Sequence, residues 1–223
     1  MSTPHQSELP IEHAVEIGVG SKRLQGVLSL PPLPRAVVAF AHGSGSGRLS
    51  PRNRIVAGAL QEAHLATLLL DLLDEEEAHD RARVFDIPLL ADRLSAAADW
   101  LAAEPATRGL PLGYFGASTG AAAALVAVAR RPGQALAVVS RGGRPDLARD
   151  DLPAVLVPTL LIVGGLDIEV LDLNRQALEL LGGPKQLVVV PGATHLFPEP
   201  GTLEEVSRLA TRWFIQNLEA GPD

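Results

Sequence analysis

Five short and almost wholly apolar runs constrain this chain more than anything else in it. They are "AVVAFAH" (36–42), "ATLLLDL" (66–72), "ALAVVSR" (135–141), "TLLIVGG" (159–165) and "QLVVVPG" (186–192). A strand with apolar residues on both faces has to be covered on both faces. "LPLGYFGA" (110–117) is of the same kind, with two glycines in it. Upstream, "HAVEIGVG" and "RLQGVLSLP" read as two further strands, turned at Gly20-Ser21 as a hairpin. The pattern predicts about eight strands.

Helical patterns fill the gaps. Ser50 followed by Pro51 is an N-cap with proline at the first helical position, opening "PRNRIVAGALQEAH". Ile87, Leu90, Leu94, Ala97 and Leu101 recur at helical spacing. Alanines after Ser118 favour a helix, and "IEVLDLNRQALELLGG" ends on glycines as a helix C-terminus does. Thr202 and Glu205 have the spacing of a capping box for a last helix whose face is Leu203, Val206, Leu209, Ala210 and Phe214. Strands alternating with helices at this length predict a mostly parallel sheet with helices on both faces. There is no internal repeat or low-complexity linker, so 1–223 is expected to form a single domain.

Composition narrows the classes of function. A net charge of -7 argues against nucleic acid as a partner. Without cysteine the chain has neither disulfides nor thiolate metal ligands. No apolar run reaches the roughly 20 residues of a membrane span, and the N-terminal segment lacks a signal-peptide pattern. The expectation is a soluble cytoplasmic protein with no membrane or nucleic-acid partner.

In a parallel sheet, ligands bind beyond the carboxyl ends of the strands. Ser118 lies at such an end, inside "GYFGASTGAAAA". A serine at a sharp strand-to-helix turn needs small neighbours, and Gly116, Ala117 and Gly120 supply them; this is the spacing of a nucleophile elbow. A serine hydroxyl needs a general base held by a third group. Among six histidines, His195 follows the last strand in "PGATHLFPEPG", whereas His5 and His13 lie at the N-terminal end, His64 ends a helix and His79 sits in an acidic run. Asp167 follows strand and double glycine in "TLLIVGGLDIEV", with Glu169 as its neighbouring competitor. The order Ser118, Asp167, His195 is the one that accompanies a nucleophile elbow.

"AFAHGSGSGRLSP" supplies a glycine-serine loop after the third strand, with His42 and Gly43 leading into it. Glycine lets a backbone amide approach a substrate closely, so the N–H groups of Ser44 and Thr119 are the candidate oxyanion donors. A flexible loop and a dinucleotide site are the competing readings of this stretch. Against the second, the third glycine of G-x-G-x-x-G would fall at Arg48, and two strands already precede this one.

Taken together, "AHGSGSGR", "GASTG", "VGGLD" and "PGATH" resemble the α/β-hydrolases, and more narrowly the small dienelactone-hydrolase-like proteins, across positions 41 to 195. The resemblance implies an α/β-hydrolase fold and a serine hydrolase acting on esters or related acyl bonds, with no metal and no cofactor. Dienelactone hydrolases proper are known for a cysteine nucleophile. Ser118 in its place argues against the narrow lactone activity and for a general esterase. Thioester or amide hydrolysis, acyl transfer to an alcohol, and a non-catalytic interaction protein are the alternatives.

The segment "GGRPDLARDDLPAVLVP" is too short for the cap domain that many α/β-hydrolases insert there. The expected site is therefore open, suited to short or compact acyl groups on a small-molecule ester. Leu166, Leu196 and Phe197 flank the triad as apolar wall, and Phe85 is close enough in sequence to the acidic loop to reach over. Arg141, Arg144 and Arg48 are candidate ligands for an anionic substrate group, or else partners of Asp146, Asp150 or Asp71. The run "DEEEAHDR" (74–81) is expected to be a solvated loop.

Overall fold

The computed structural model describes residues 9–218. β1 (Ile11–Val19) and β2 (Lys22–Leu30) form an antiparallel hairpin in which Val19 pairs with Lys22 across Gly20 and Ser21. Gly20 has φ +59°, a conformation that costs glycine little. β2 then pairs antiparallel with β4 (Leu65–Leu70). From there the sheet is parallel through β3 (Ala36–Ala41), β5 (Leu112–Ala117), β6 (Ala137–Arg141), β7 (Thr159–Gly164) and β8 (Lys185–Val190). The eight-stranded order is β1-β2-β4-β3-β5-β6-β7-β8.

Every residue of β3, β4, β5, β6 and β7 is buried, which is why these runs are apolar throughout. α1 (Pro51–Glu62) and α6 (Thr202–Leu218) cover one face, where Phe40, Phe115, Val139 and Ile162 pack with Val56, Leu60, Val206 and Phe214. α3 (Ile87–Ala103), α4 (Thr119–Arg130) and α5 (Ile168–Leu180) cover the other, where Val37, Leu68, Tyr114 and Leu161 meet Leu94, Leu101, Ala123 and Ala177. This is the α/β-hydrolase architecture expected from the alternation, and no separate cap domain is inserted. The segment between β6 and β7 holds only two short 3₁₀ turns, Pro145–Ala148 and Leu152–Ala154. No helix of the described residues is long and apolar enough to cross a membrane.

Two local expectations are corrected. The capping box does not form: α6 begins at Thr202, Gly201 precedes it with φ +78°, and the Glu205 carboxylate is taken by Arg208. The acidic run is not simply a solvated loop either. It holds a 3₁₀ turn, Glu77–His79, and a one-turn helix, α2 (Arg81–Val84). Glu77 receives a bidentate bond from the buried Arg93, at 2.6 and 2.7 Å, and Asp74 pairs with Lys22. Arg93 sits on the core-facing side of α3, and leaving a buried guanidinium unpaired is costly, so pairing with Glu77 is favoured. That pairing draws the loop down.

Chain order sets where the site lies. The chain runs from β3 outward to β4 and then returns to the opposite side of β3 to form β5. The carboxyl ends of β3 and β5 therefore flank a topological switch point, where the loops diverge and leave a crevice. Gly43 and Ser118 sit at those two ends.

Candidate active site

Ser118 joins β5 to α4 with φ 51° and ψ -121°, outside the regions that non-glycine residues favour. Such strain costs about 1–3 kcal/mol and persists only where the surroundings enforce it. Here three glycines permit the enforcement. A Cβ on Gly116 would lie 2.4 Å from Ala121 Cα, and one on Gly120 would lie 2.2 Å from the Ala41 carbonyl oxygen. A Cβ on Gly43 would come within 2.9 Å of Ser118 Cβ, so the loop after β3 lies directly against the candidate nucleophile. The serine's own backbone is clamped to the segment after β6: its N–H donates to Arg141 O at 3.3 Å, and Arg144 N–H donates to Ser118 O at 3.1 Å.

Asp167 and His195 meet from two different loops. His195 Nδ1 lies 2.7 Å from Asp167 Oδ2. A carboxylate only accepts, so Nδ1 carries the hydrogen and Nε2 keeps its lone pair. Asp167 is the residue before α5, but its side chain makes no cap bond; the histidine takes it instead. Glu169 is exposed, and no hydrogen bond joins it to His195 among the described residues. His5 lies outside those residues. The loop carrying His195 is tied by Glu199, whose carboxylate accepts from Thr194 N–H at 3.1 Å and from Thr194 Oγ1 at 2.6 Å. It reaches the nucleophile's surroundings at Gly142, where an added Cβ would lie 3.1 Å from His195 O and 3.5 Å from its Nδ1.

The candidate oxyanion donors come from the two sides of the switch point. Thr119 N–H opens α4, where the helix has no internal acceptor for it, and the helix N-terminus favours negative charge. Ser44 is exposed in the loop after β3, which turns through a Ser46 N–H to Gly43 O bond of 3.2 Å, with Gly45 at φ +67°. Neither amide has a hydrogen-bond partner among the described residues.

Sequence reasoning passed over the residues that hold this loop in place. His42 is buried; Leu72 N–H donates to its Nε2 at 2.9 Å, so its Nδ1–H donates to Gly43 O at 3.0 Å. Burial pushes its pKa down, which keeps the ring neutral and the tautomer fixed. Buried Asn174 on α5 donates to Gly143 O at 2.9 Å and supports the turn after β6. The strand-end position of His42 was a usable signal; Asn174 and Glu199 act across the chain and gave none.

The candidate substrate residues divide. Leu166 and Leu196, beside Asp167 and His195, are 61% and 45% exposed and form an apolar rim. Phe197 does not contribute to that wall. It is 2% exposed and packed into the α1/α6 core, with φ 56°, because the backbone reverses after His195. Phe85 is exposed, with the Arg81 guanidinium 5.7 Å over its ring. Arg48 pairs with Asp71 in the loop after β4, and Arg144 with Asp146 in its own loop, so both are tied to carboxylates. Arg141 is buried without any such partner. A surface groove of about 750 Å³ between α1 and α6, lined by Ile55, Ala59, Thr211 and Ile215, contains none of the candidate catalytic residues. The perturbed backbone and the acid–histidine pair place the candidate site at the switch point instead.

Known proteins agree with this architecture. No protein-family model matches the chain. A crystal structure of dienelactone hydrolase from Anabaena variabilis is 56% identical and superposes with a TM-score of 0.91, covering 95% of this chain and 100% of that one. A dienelactone-hydrolase-like promiscuous phosphotriesterase from metagenomic libraries shares the fold at 21% identity and a TM-score of 0.75, over 94% of this chain and 99% of that one. Two strains of Mycobacterium tuberculosis hold a protein provisionally named a phosphoribosyl transferase that is 58% identical over 211 residues, 95% of this chain but 47% of that protein. The chain thus spans about half the length of the curated relatives it matches. With that identity over nearly its full length, and with the same sheet, the chain belongs to the dienelactone hydrolase family.

Proposed function

We propose that this chain is a serine hydrolase that cleaves short or compact carboxylic esters through an acyl-enzyme on Ser118. The observation that carries the proposal is the Asp167–His195 bond of 2.7 Å, made by a loop that closes against the segment clamping Ser118. That bond leaves Nε2 of His195 as the free base. It takes the serine proton as Oγ attacks the ester carbonyl, and returns it to the leaving alcohol. Asp167 stabilises the imidazolium formed in between. The amides of Ser44 and Thr119 receive the developing oxyanion. Water, activated by the same histidine, then releases the acid.

Family membership supports hydrolysis as the chemistry. The phosphoribosyl transferase name belongs to relatives about twice as long as the stretch that matches. The open rim of Leu166 and Leu196 and the missing cap favour small acyl groups. Each extra methylene adds about 0.8 kcal/mol only when it is buried. A panel of p-nitrophenyl esters, thioesters and anilides tests the reading. Acetyl to butyryl esters are expected to give the highest kcat/KM, with decanoyl esters lower. An optimum at long chains, or turnover of thioesters or anilides in preference to esters, contradicts it.

A further inference from the structure

Of Arg48, Arg141 and Arg144, Arg141 alone has no carboxylate partner among the described residues. It ends β6, and its side chain falls on the same face as Ala137 and Val139, towards α1 and α6. It is 7% exposed, and its Nε and Nη1 are buried without a hydrogen-bond partner. Its carbonyl holds the N–H of Ser118, so the guanidinium belongs to a residue in contact with the candidate nucleophile. Arg52, in the first turn of α1, has its own Nε buried and unpartnered. Burial, and after it the like charge of Arg52, push Arg141 down to about 10. At neutral pH the Arg141 guanidinium is therefore charged. Asp71 stands near the same turn, but the Arg48 side chain and backbone N–H already occupy it.

A buried charge left without a partner is strongly destabilising, and two like charges side by side are worse. Three buried N–H donors on two arginines, one of them in the first turn of α1, seek the same kind of partner. A cleft of about 340 Å³, lined by Gly45 to Arg52 and Asp71, opens Arg52 to solvent beside the candidate oxyanion loop. We propose that Arg52, Arg141 and the first turn of α1 form a binding site for an oxyanion, and that the ester substrate carries this anion. The charge count favours a dianion, such as a phosphate monoester, over a single carboxylate. The substrate part of the proposal rests on the esterase reading above; the existence of the site does not.

Two measurements separate these. In the first, inorganic phosphate is titrated against Ser118→Ala protein, which needs no catalysis, at ionic strength matched with sodium chloride. Phosphate is expected to raise Tm, and Arg52→Met or Arg141→Met in the same background to weaken its binding about tenfold to a hundredfold. Arg141→Met alone is expected to hold or raise Tm, because it removes an unpaired buried charge; a structural arginine would lower it. Should Arg141→Met fail to fold, half-buried Arg52 carries the test. In the second, kcat/KM is compared for phenyl acetate, 4-acetoxybenzoate and 4-acetoxyphenyl phosphate. The ratio of anionic to neutral ester is expected to fall about tenfold to a hundredfold in either variant, most for the phosphate. Phosphate binding that is absent, or equal in Ser118→Ala and in both arginine variants of that background, overturns the site. Phosphate binding that the variants abolish, with no preference for anionic esters, assigns the site to a free ion and overturns the substrate-borne anion. Failure to turn over any of the esters contradicts the esterase reading while leaving the phosphate titration valid.

Discussion

The two halves of the candidate site are held by different forces. Around Ser118 the work is done by backbone packing: Gly43, Gly116 and Gly120 bring main chains closer than any side chain would allow. Around His195 it is done by side-chain hydrogen bonds, Asp167 to His195 and Thr194 to Glu199. A half held by close packing transmits any added atom to the fold. A half held by side-chain bonds on the surface can lose its chemistry while the fold persists.

The largest effect should come from the second half. Asp167→Asn keeps the shape but favours the wrong histidine tautomer, and kcat is expected to drop about 10⁴-fold. Tm should stay within a few degrees of wild type, since Asp167 makes no helix-cap bond to lose. Exposed Glu169→Gln should change kcat little. Kinetics and thermal melts on the two variants check this; a steep fall in Tm for Asp167→Asn would erase the distinction between the halves.

Gly43→Ala addresses the first half. Its Cβ would meet Ser118 Cβ at 2.9 Å and Ala117 O at 3.1 Å, so the loop after β3 must move away. A displaced oxyanion donor costs about 10²-fold in kcat. Tm should fall as well, because the obstruction is backbone. Normal activity with normal stability would mean that close packing there is incidental.

The smallest effect concerns His42, which joins the packed half to the loop after β4. Its folded pKa lies below the ordinary 6.5, because burial disfavours the charged ring. As pH falls below about 6.5 the unfolded chain takes up a proton that the folded state refuses, so stability declines, by at most about 1.4 kcal/mol per pH unit. Glu77 and Glu205, held low by Arg93 and Arg208, add their own losses only below the ordinary 4.5. Melts between pH 7 and about 5 should therefore show a decline in wild type that is shallower in His42→Gln. Parallel profiles would remove His42 as the cause.

This difference also explains what the sequence could reveal. Glycine spacing is a local signal, so the elbow, the loop after β3 and the eight strands were legible from short windows. The order of Ser118, Asp167 and His195 followed from strand ends. Side-chain partners were not legible. Nothing in "TLEEVS" shows that Glu205 would pair with Arg208 rather than cap α6, or that Gly201 would take over the start of the helix. Phe197 looked like pocket wall because it neighbours His195; the reversal that buries it depends on the α1/α6 core. Arg141, Arg144 and Arg48 were one class in the sequence. Which carboxylates lay within reach decided that two would be tied and one left bare.

Trapping the acyl-enzyme tests the central claim most directly. Wild type and Ser118→Ala are mixed with p-nitrophenyl acetate, quenched in acid within the first turnover and digested for mass spectrometry. The account predicts one acetyl group on the peptide containing Ser118 in wild type, formed with a burst of p-nitrophenol, and neither burst nor acetyl group in Ser118→Ala. An acetyl group on another residue with steady turnover, or an unchanged burst in Ser118→Ala, would contradict it.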